Sequence, residues 1–235
     1  MKDLLLKGAK ELGVPLDEQQ AEQFCRYAKL LVEWNEKINL TAITDDNGIV
    51  TKHFLDSLTP ILTDKVRGAV IDVGTGAGFP GLPLKIAKPE IKLTLLDSLN
   101  KRVKFLQTVT DELGLDNVEC IHSRAEDGGR NKDLREKFDL CVSRAVANLA
   151  VLCEFCLPFV KVGGIFMALK GPLADEEIEN AKRSIKELGG EVCDTAEFDI
   201  PFTDLNHKIV MIKKVRHTPK QYPRKAGVPT KNPLV

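Results

Sequence analysis

Ala69-Val70-Ile71-Asp72-Val73-Gly74-Thr75-Gly76-Ala77-Gly78-Phe79-Pro80-Gly81 is the stretch whose reading decides the fold. Residues 69–73 are apolar apart from Asp72, with β-branched side chains at 70, 71 and 73, which is the composition of a buried parallel strand. The glycines that follow let the backbone turn tightly and come close to a ligand that a side chain would hold off. From Leu82 to Lys88 the pattern turns helical. A strand, a glycine turn and a helix in that order predict a ligand site at the carboxyl end of a parallel sheet, where open α/β folds bind.

The glycines alone do not name the ligand. Gly76, Gly78 and Gly81 fit the GxGxxG of dinucleotide-binding proteins, and Gly74, Gly76 and Gly78 make a shorter GxGxG. Asp72 helps to decide between ligands. A carboxylate two residues before the first glycine is expected near the helix N-terminus, where a dinucleotide seats its pyrophosphate. Like charges there repel by about 1 kcal/mol in water and several times more when partly buried. S-adenosylmethionine carries an ammonium and a sulfonium and no phosphate, so Asp72 favours this methyl donor over NAD. The plainer alternative is a structural turn capped by Asp72.

Downstream, strands and helices alternate, as in a parallel sheet with right-handed crossovers. Strands are expected at 92–96, 118–121, 138–142 and 163–169, and helices at 149–160 and around Ile178, Ala181, Ile185 and Leu188. A helix after Asp97 is expected to bury Leu99, Val103, Leu106, Thr110 and Leu113 and to expose Lys101, Arg102 and Lys104. Residues 191–198 and 208–215, with no helix between them, predict an antiparallel pair at one edge. Asp97, at the end of the second strand, suits the two hydroxyls of a ribose. The turn holding Ala125 and Glu126 suits an adenine amino group. Arg144, at the end of a central strand, suits a carboxylate or a phosphate. Each also has a plain alternative: a helix cap for Asp97, a solvated turn for Glu126, a local ion pair for Arg144.

Upstream, residues 1–62 read as a helical extension, with a turn region over 35–44 and a short helix over 51–62. Asp17 caps a helix with an apolar stripe at Ala21, Phe24, Cys25, Ala28, Leu31 and Val32 and a second seam at Tyr27, Leu30 and Trp34. The chain thus divides into an N-terminal helical extension (1–62), an α/β domain (63–215) and a basic tail (216–235), with the last fifteen or so residues expected to be partly extended. With 235 residues, 43% hydrophobic and 29% charged, it reads as globular. Neither a signal peptide nor an apolar run long enough to span a bilayer is present, so a cytoplasmic location is expected. Six cysteines lie mostly among apolar neighbours, and the lone Cys153-x-x-Cys156 has no second pair, so no metal site is expected.

Net charge is zero but unevenly spread. After Asp204 come eight basic residues and no acidic one, leaving 26 basic against 34 acidic residues before it. A basic end on an acidic body points to a polyanion, or simply to a solubilising tail. Arg216, Lys220, Arg224 and Lys225, with Lys101, Arg102 and Lys170 near the mouth of the cleft, are the expected RNA contacts.

Trp34-Asn35-Glu36-Lys37-Ile38-Asn39-Leu40-Thr41, His53-Phe54-Leu55-Asp56-Ser57-Leu58, the 72–81 loop, Ser143-Arg144-Ala145 and Lys170-Gly171 together resemble the bacterial 16S ribosomal RNA guanine-N7 methyltransferase G family, once called glucose-inhibited division protein B. The resemblance covers nearly the whole chain. It implies a class I S-adenosylmethionine-dependent methyltransferase fold, a Rossmann-like and mostly parallel seven-stranded sheet with an antiparallel edge strand, behind an N-terminal helical extension. It also implies donor contacts at Gly74, Phe79, Ala125, Glu126 and Arg144. Its implied product is N7-methylguanosine in the decoding region of 16S RNA, on naked RNA or a 30S particle, made by an expected monomer. Guanine N7 presents a lone pair and no proton, so no general base is needed. Two other readings stand beside it: a dinucleotide-dependent oxidoreductase, and a non-catalytic RNA-binding or ribosome-assembly module.

Overall fold

The structure is a computed structural model describing residues 1–144, 146–204 and 206–235; Ala145 of the Ser143-Arg144-Ala145 motif lies outside the described residues. Seven strands form one sheet: β1 Ala69–Val73, β2 Lys92–Asp97, β3 Val118–His122, β4 Phe138–Arg144, β5 Val160–Lys170, β6 Gly190–Asp199 and β7 Asn206–Lys214. Their order is β3-β2-β1-β4-β5-β7-β6. β1 pairs in parallel with β2 through Val70↔Leu93 and with β4 through Val70↔Leu140. β7 runs antiparallel to both β5 and β6, so the expected antiparallel pair does close one edge. Chain order reverses between β1 and β4. The loops leaving these two strands diverge there and open a crevice.

Both faces of the sheet are covered, which is why β1 alternates between two cores. Val70 packs with Phe24, Tyr27, Leu31 and Phe54 of the N-terminal helices. Ile71 and Val73 pack with the Leu149–Cys156 helix and with Ala181 and Ile185 of the Ala174–Glu187 helix. The N-terminal helices therefore share a core with the sheet, and each fully buried Phe or Leu there contributes about 1.5–3 kcal/mol. The Glu18–Ile38 helix starts as expected. Asp17 Oδ1 accepts from Gln20 N (2.8 Å) and Gln20 Oε1 accepts from Asp17 N (2.9 Å), a reciprocal cap.

Four expectations need correction. The Asn100–Glu112 helix buries the expected Leu106 and Thr110, with Leu113 just after it, but also Phe105 and Val109, and it leaves Val103 half-buried and Leu99 52% exposed, so its inner face is shifted from the expected one. The 149–160 helix stops at Cys156, Pro158 lies in a short 3-10 turn, and Val160 already begins β5. The segment expected as a short helix over 51–62 is helical from Asp46 to Thr63, but Ile49–Leu55 has the wider π winding. The tail is not extended. It folds back onto the α/β domain, where Arg135 donates to the carbonyls of Thr218 and Tyr222 (2.8 Å each) and Tyr222 and Leu234 are buried.

Candidate functional site

The 74–81 loop is held almost wholly by its own surroundings. Gly74 N donates to Leu96 O (2.8 Å), Gly78 N and Phe79 N to Thr75 O (2.9 and 3.0 Å), and Gly76 N to Asp97 Oδ2 (2.9 Å). Asp72 lies beneath the loop, fully buried, and its Oδ2 accepts from Thr75 Oγ1 (2.7 Å) and Gly81 N (2.8 Å). The first amide of the Gly81–Ala87 helix is thus already occupied by a carboxylate. That is a sharper reason against a pyrophosphate than the charge repulsion expected from the sequence, because the amide at the start of the helix is taken by a carboxylate. Asp72 Oδ1 has no partner among the described residues, and burial pushes the carboxyl up to about 6.

The two central glycines face opposite ways. A Cβ on Gly76 (φ +62°) would meet nothing within 4 Å, so this position opens onto the cleft. A Cβ on Gly78 (φ +101°) would lie 2.5 Å from Leu82 Cδ1 and 2.6 Å from Tyr27 Oη. Gly78, expected as a donor contact, instead lets the Glu18–Ile38 helix close on the loop, where the Tyr27 hydroxyl donates to Ala77 O.

The cleft has two connected parts that share Gly74, Ser98 and Val146. The larger, about 390 Å³, is walled by Gly76, Phe79, Asp97, Arg102, Arg144 and His53. The smaller, about 220 Å³, is walled by Leu96, Arg124, Ala125, Glu126, Phe155, Gly227 and Thr230. Asp97 stands between loop and helix: its Oδ1 accepts from Leu99 N (2.9 Å) and Arg102 Nη1 lies 3.6 Å from Oδ2. Gly74, Gly76, Phe79, Asp97, Ala125, Glu126 and Arg144 are thus brought to one cleft, whereas Asp72 and Gly78 support it from behind.

Arg144 is fixed by residues of the N-terminal extension. Its Nη1 donates to Asp56 Oδ2 (2.5 Å) and Lys52 O (3.2 Å), its Nη2 faces His53 Nδ1 (3.3 Å), and the guanidinium lies 5.0 Å from the Phe79 ring centroid. His207 of β7 donates from Nδ1 to Asp56 Oδ1, and that hydrogen bond raises the His207 pKa. Burial would raise Asp56, but His207 and Arg144 together hold it below the usual carboxylate value. Burial, reinforced by Arg144, pushes His53 down to about 4. His53 is therefore neutral near pH 7. With Nδ1 toward Arg144, its Nε2 carries the proton and donates to Thr41 Oγ1 (2.8 Å), while the ring stacks on Phe79 at 4.6 Å.

The expected RNA contacts divide. Lys101, Arg216, Lys220 and Lys225 are exposed, and Arg102 lines the cleft. Lys170 is not a free surface cation: it is buried, pairs with Glu177 Oε2 (2.7 Å) and donates to Ala147 O (2.7 Å). Arg224 is not free either, because it binds both carboxylate oxygens of the buried Glu154 (Nη2 to Oε2 2.6 Å, Nε to Oε1 3.0 Å). Sequence reading missed Asp56, His207, Thr41, Gly227 and Thr230 as parts of the site. Only Thr41 and Asp56 carried a signal, each lying in a motif already noted.

The profile described as rRNA small subunit methyltransferase G matches residues 20–205. A Clostridium botulinum (strain Eklund 17B / Type B) protein called ribosomal RNA small subunit methyltransferase G is 55% identical over 234 residues, 99% of this chain and 98% of that protein. A protein of the same name from Acetivibrio thermocellus is 53% identical over 236 residues, 100% of this chain and 97% of the relative. Among solved structures, M. jannaschii TYW2 in complex with AdoMet superposes with a TM-score of 0.53 at 14% identity, covering 68% of this chain and 77% of that one. The structural likeness bears on the fold alone, and the near full-length sequence identity bears on the family. The chain belongs to the rRNA small subunit methyltransferase G family.

Proposed function

We propose that this protein transfers the methyl group of S-adenosylmethionine to N7 of a guanosine in the decoding region of 16S ribosomal RNA. The observation that carries the reading is a cleft at the β1/β4 reversal whose glycine floor opens at Gly76, beside the buried carboxylates of Asp72 and Asp97 and with the amides of Gly74, Gly76, Gly78, Phe79 and Gly81 already occupied. Such a cleft suits a cation and disfavours a diphosphate. The unpartnered Asp72 Oδ1 adds a negative bias beneath it that a ligand carrying an ammonium and a sulfonium relieves. S-adenosylmethionine, when bound, supplies an electrophilic methyl group.

Everything else falls to the residues of the chain. Asp97 accepts hydrogen bonds from ribose hydroxyls, Ala125 and Glu126 receive the adenine edge, Gly74 and Gly76 let the ligand approach the backbone, and Arg144 takes the amino-acid carboxylate. Held on three sides by Asp56, Lys52 O and His53, Arg144 keeps its orientation without the ligand. Guanine N7 needs no proton removed, so alignment and exclusion of water are the tasks left to the cleft wall. Neutral His53 stacked on Phe79 gives that wall a flat, uncharged face. Lys101, Arg102, Arg216, Lys220 and Lys225 hold the RNA phosphates. The protein works in the cytoplasm on naked 16S RNA or a 30S particle, and as a monomer, in keeping with large exposed apolar side chains (Leu99, Leu173, Val235) that lie in separate connecting segments and at the last residue. Incubation with labelled donor and undermethylated 30S particles, followed by nucleoside analysis, should place the label in N7-methylguanosine. Label elsewhere, or none, overturns the proposal.

A further inference from the structure

The smaller part of the cleft has a wall that comes from the end of the chain. After β7 the backbone crosses the Leu149–Cys156 helix, and Arg224 N donates to Glu154 Oε1 (2.7 Å) while the Arg224 guanidinium grips the same carboxylate. Glu154 is 1% exposed on an otherwise apolar helix, so the pair acts as an internal anchor rather than a surface bridge. Three residues later Gly227 N donates to Glu126 Oε1 (2.9 Å). Gly227 sits at φ +81°, a conformation that glycine adopts without strain. Beyond it Thr230 lines the hollow, and Leu234 is buried in the second core. The segment is thus fastened before and after the hollow and bridges it. The family profile ends at residue 205, well before this segment begins.

We infer that residues 224–230 form a C-terminal strap that completes the nucleoside end of the methyl-donor site, with Gly227 positioning Glu126 and Thr230 closing the wall. The inference rests on the methyl-donor reading of the cleft and extends it to a segment expected from its charge to serve RNA alone. With Oε1 held by the strap, the Glu126 carboxylate cannot swing freely and meets a nucleobase donor already oriented, which lowers the ordering cost of binding. Leu96, Phe155 and Val146 supply apolar surface for the base around that acceptor. Perturbing the strap therefore weakens donor binding even where no RNA is present.

Titration calorimetry with S-adenosylhomocysteine tests this on the full-length protein and three point variants. Thr230→Trp fills the hollow, and Gly227→Pro removes the amide that holds Glu126. Lys231→Trp puts the same bulk one position along, on an exposed side chain that does not line the hollow. Thr230→Trp and Gly227→Pro should weaken binding about tenfold or more, a loss of about 1.4 kcal/mol, with Lys231→Trp unchanged. Thermal melting run in parallel separates weakened affinity from a damaged fold, and if Gly227→Pro melts early, Thr230→Trp against Lys231→Trp decides. Equal affinity in all four proteins overturns the strap and leaves the methyl-donor reading standing. No binding to the unaltered protein overturns the methyl-donor reading, and the strap with it.

Discussion

Gly76 and Gly78, two residues apart in one loop, should respond oppositely to the same added methyl group. At Gly78 the new Cβ falls 2.5 Å from Leu82 Cδ1 and 2.6 Å from Tyr27 Oη, with the backbone at φ +101°. Overpacking a filled core costs about 1–3 kcal/mol, and holding a non-glycine residue at such a φ costs about as much again. A chain of this size loses roughly 2–4 °C of melting temperature per kcal/mol, so Gly78→Ala should melt on the order of 10 °C early. At Gly76 the φ of +62° lies in the left-handed region, where an L residue costs about 1–2 kcal/mol, and the Cβ meets no atom. Gly76→Ala should lose only a few degrees by the same scaling, yet its methyl group stands where the ligand lies, and affinity for S-adenosylhomocysteine should fall about tenfold. Calorimetry supplies both numbers, one from scanning and one from titration. Equal melting shifts in the two variants, or unchanged affinity in Gly76→Ala, would refute the assignment of one glycine to the cleft and the other to the core.

Asp97→Ala should weaken donor binding by about 1–3 kcal/mol, read by the same titration, and NADH should not compete. If NADH binds more tightly than the methyl donor, the methyltransferase chemistry is wrong. Asp56→Ala leaves Arg144 and His207 without their shared carboxylate and should lower stability by about 3–5 kcal/mol in denaturant unfolding; a loss under about 1 kcal/mol would mean that solvent replaces the pair. His207 has a raised pKa, so its stabilising contribution is complete below about pH 6.5 and fades as pH rises through the folded-state value. The melting gap between wild type and His207→Gln should therefore be wider at about pH 5.5 than at about pH 8.5, and a pH-independent gap would detach His207 from Asp56. Replacing Arg216, Lys220 and Lys225 by Ala should flatten the log–log salt dependence of RNA binding by roughly 0.7–0.9 for each phosphate no longer neutralised. Arg224→Ala, already engaged by Glu154, should leave that slope unchanged, and an equal effect from Arg224 would put its guanidinium on RNA instead.

The strand pattern was legible because parallel strands buried on both faces are short apolar runs, and those runs ended where the sequence suggested, at Val73 and near Asp97. Helix faces were less legible. In Asn100–Glu112 the residues at 99, 103 and 106 fit a helical stripe as well as those at 102, 105, 106 and 109, and Phe105, not the spacing, decides by packing against Tyr27 and Trp34. Asp56 escaped assignment for a geometric reason. It follows directly on a π-wound segment, where a 3.6-residue period no longer tells which side chains share a face. The tail misled through its composition. Its charge and prolines suit an extended chain, whereas the hydrogen bonds that fold it, Arg135 to the Thr218 carbonyl and Arg224 to Glu154, join residues 70 or more apart. No local pattern records pairings of that span.

The hydroxyl of Tyr27 on the carbonyl of Ala77 joins two residues that are 50 apart in the chain. Contacts across such separations form after local structure, because closing the intervening chain costs entropy before the contact contributes anything. The glycine turn thus reaches its final shape only once β1 and the Glu18–Ile38 helix have met. During synthesis that helix leaves the ribosome before β1, and Tyr27 stays without its Phe79 and Phe105 neighbours until the strand and the segments after it emerge. For that interval part of its apolar face is open to solvent, a surface of the kind that makes unfinished chains prone to aggregate.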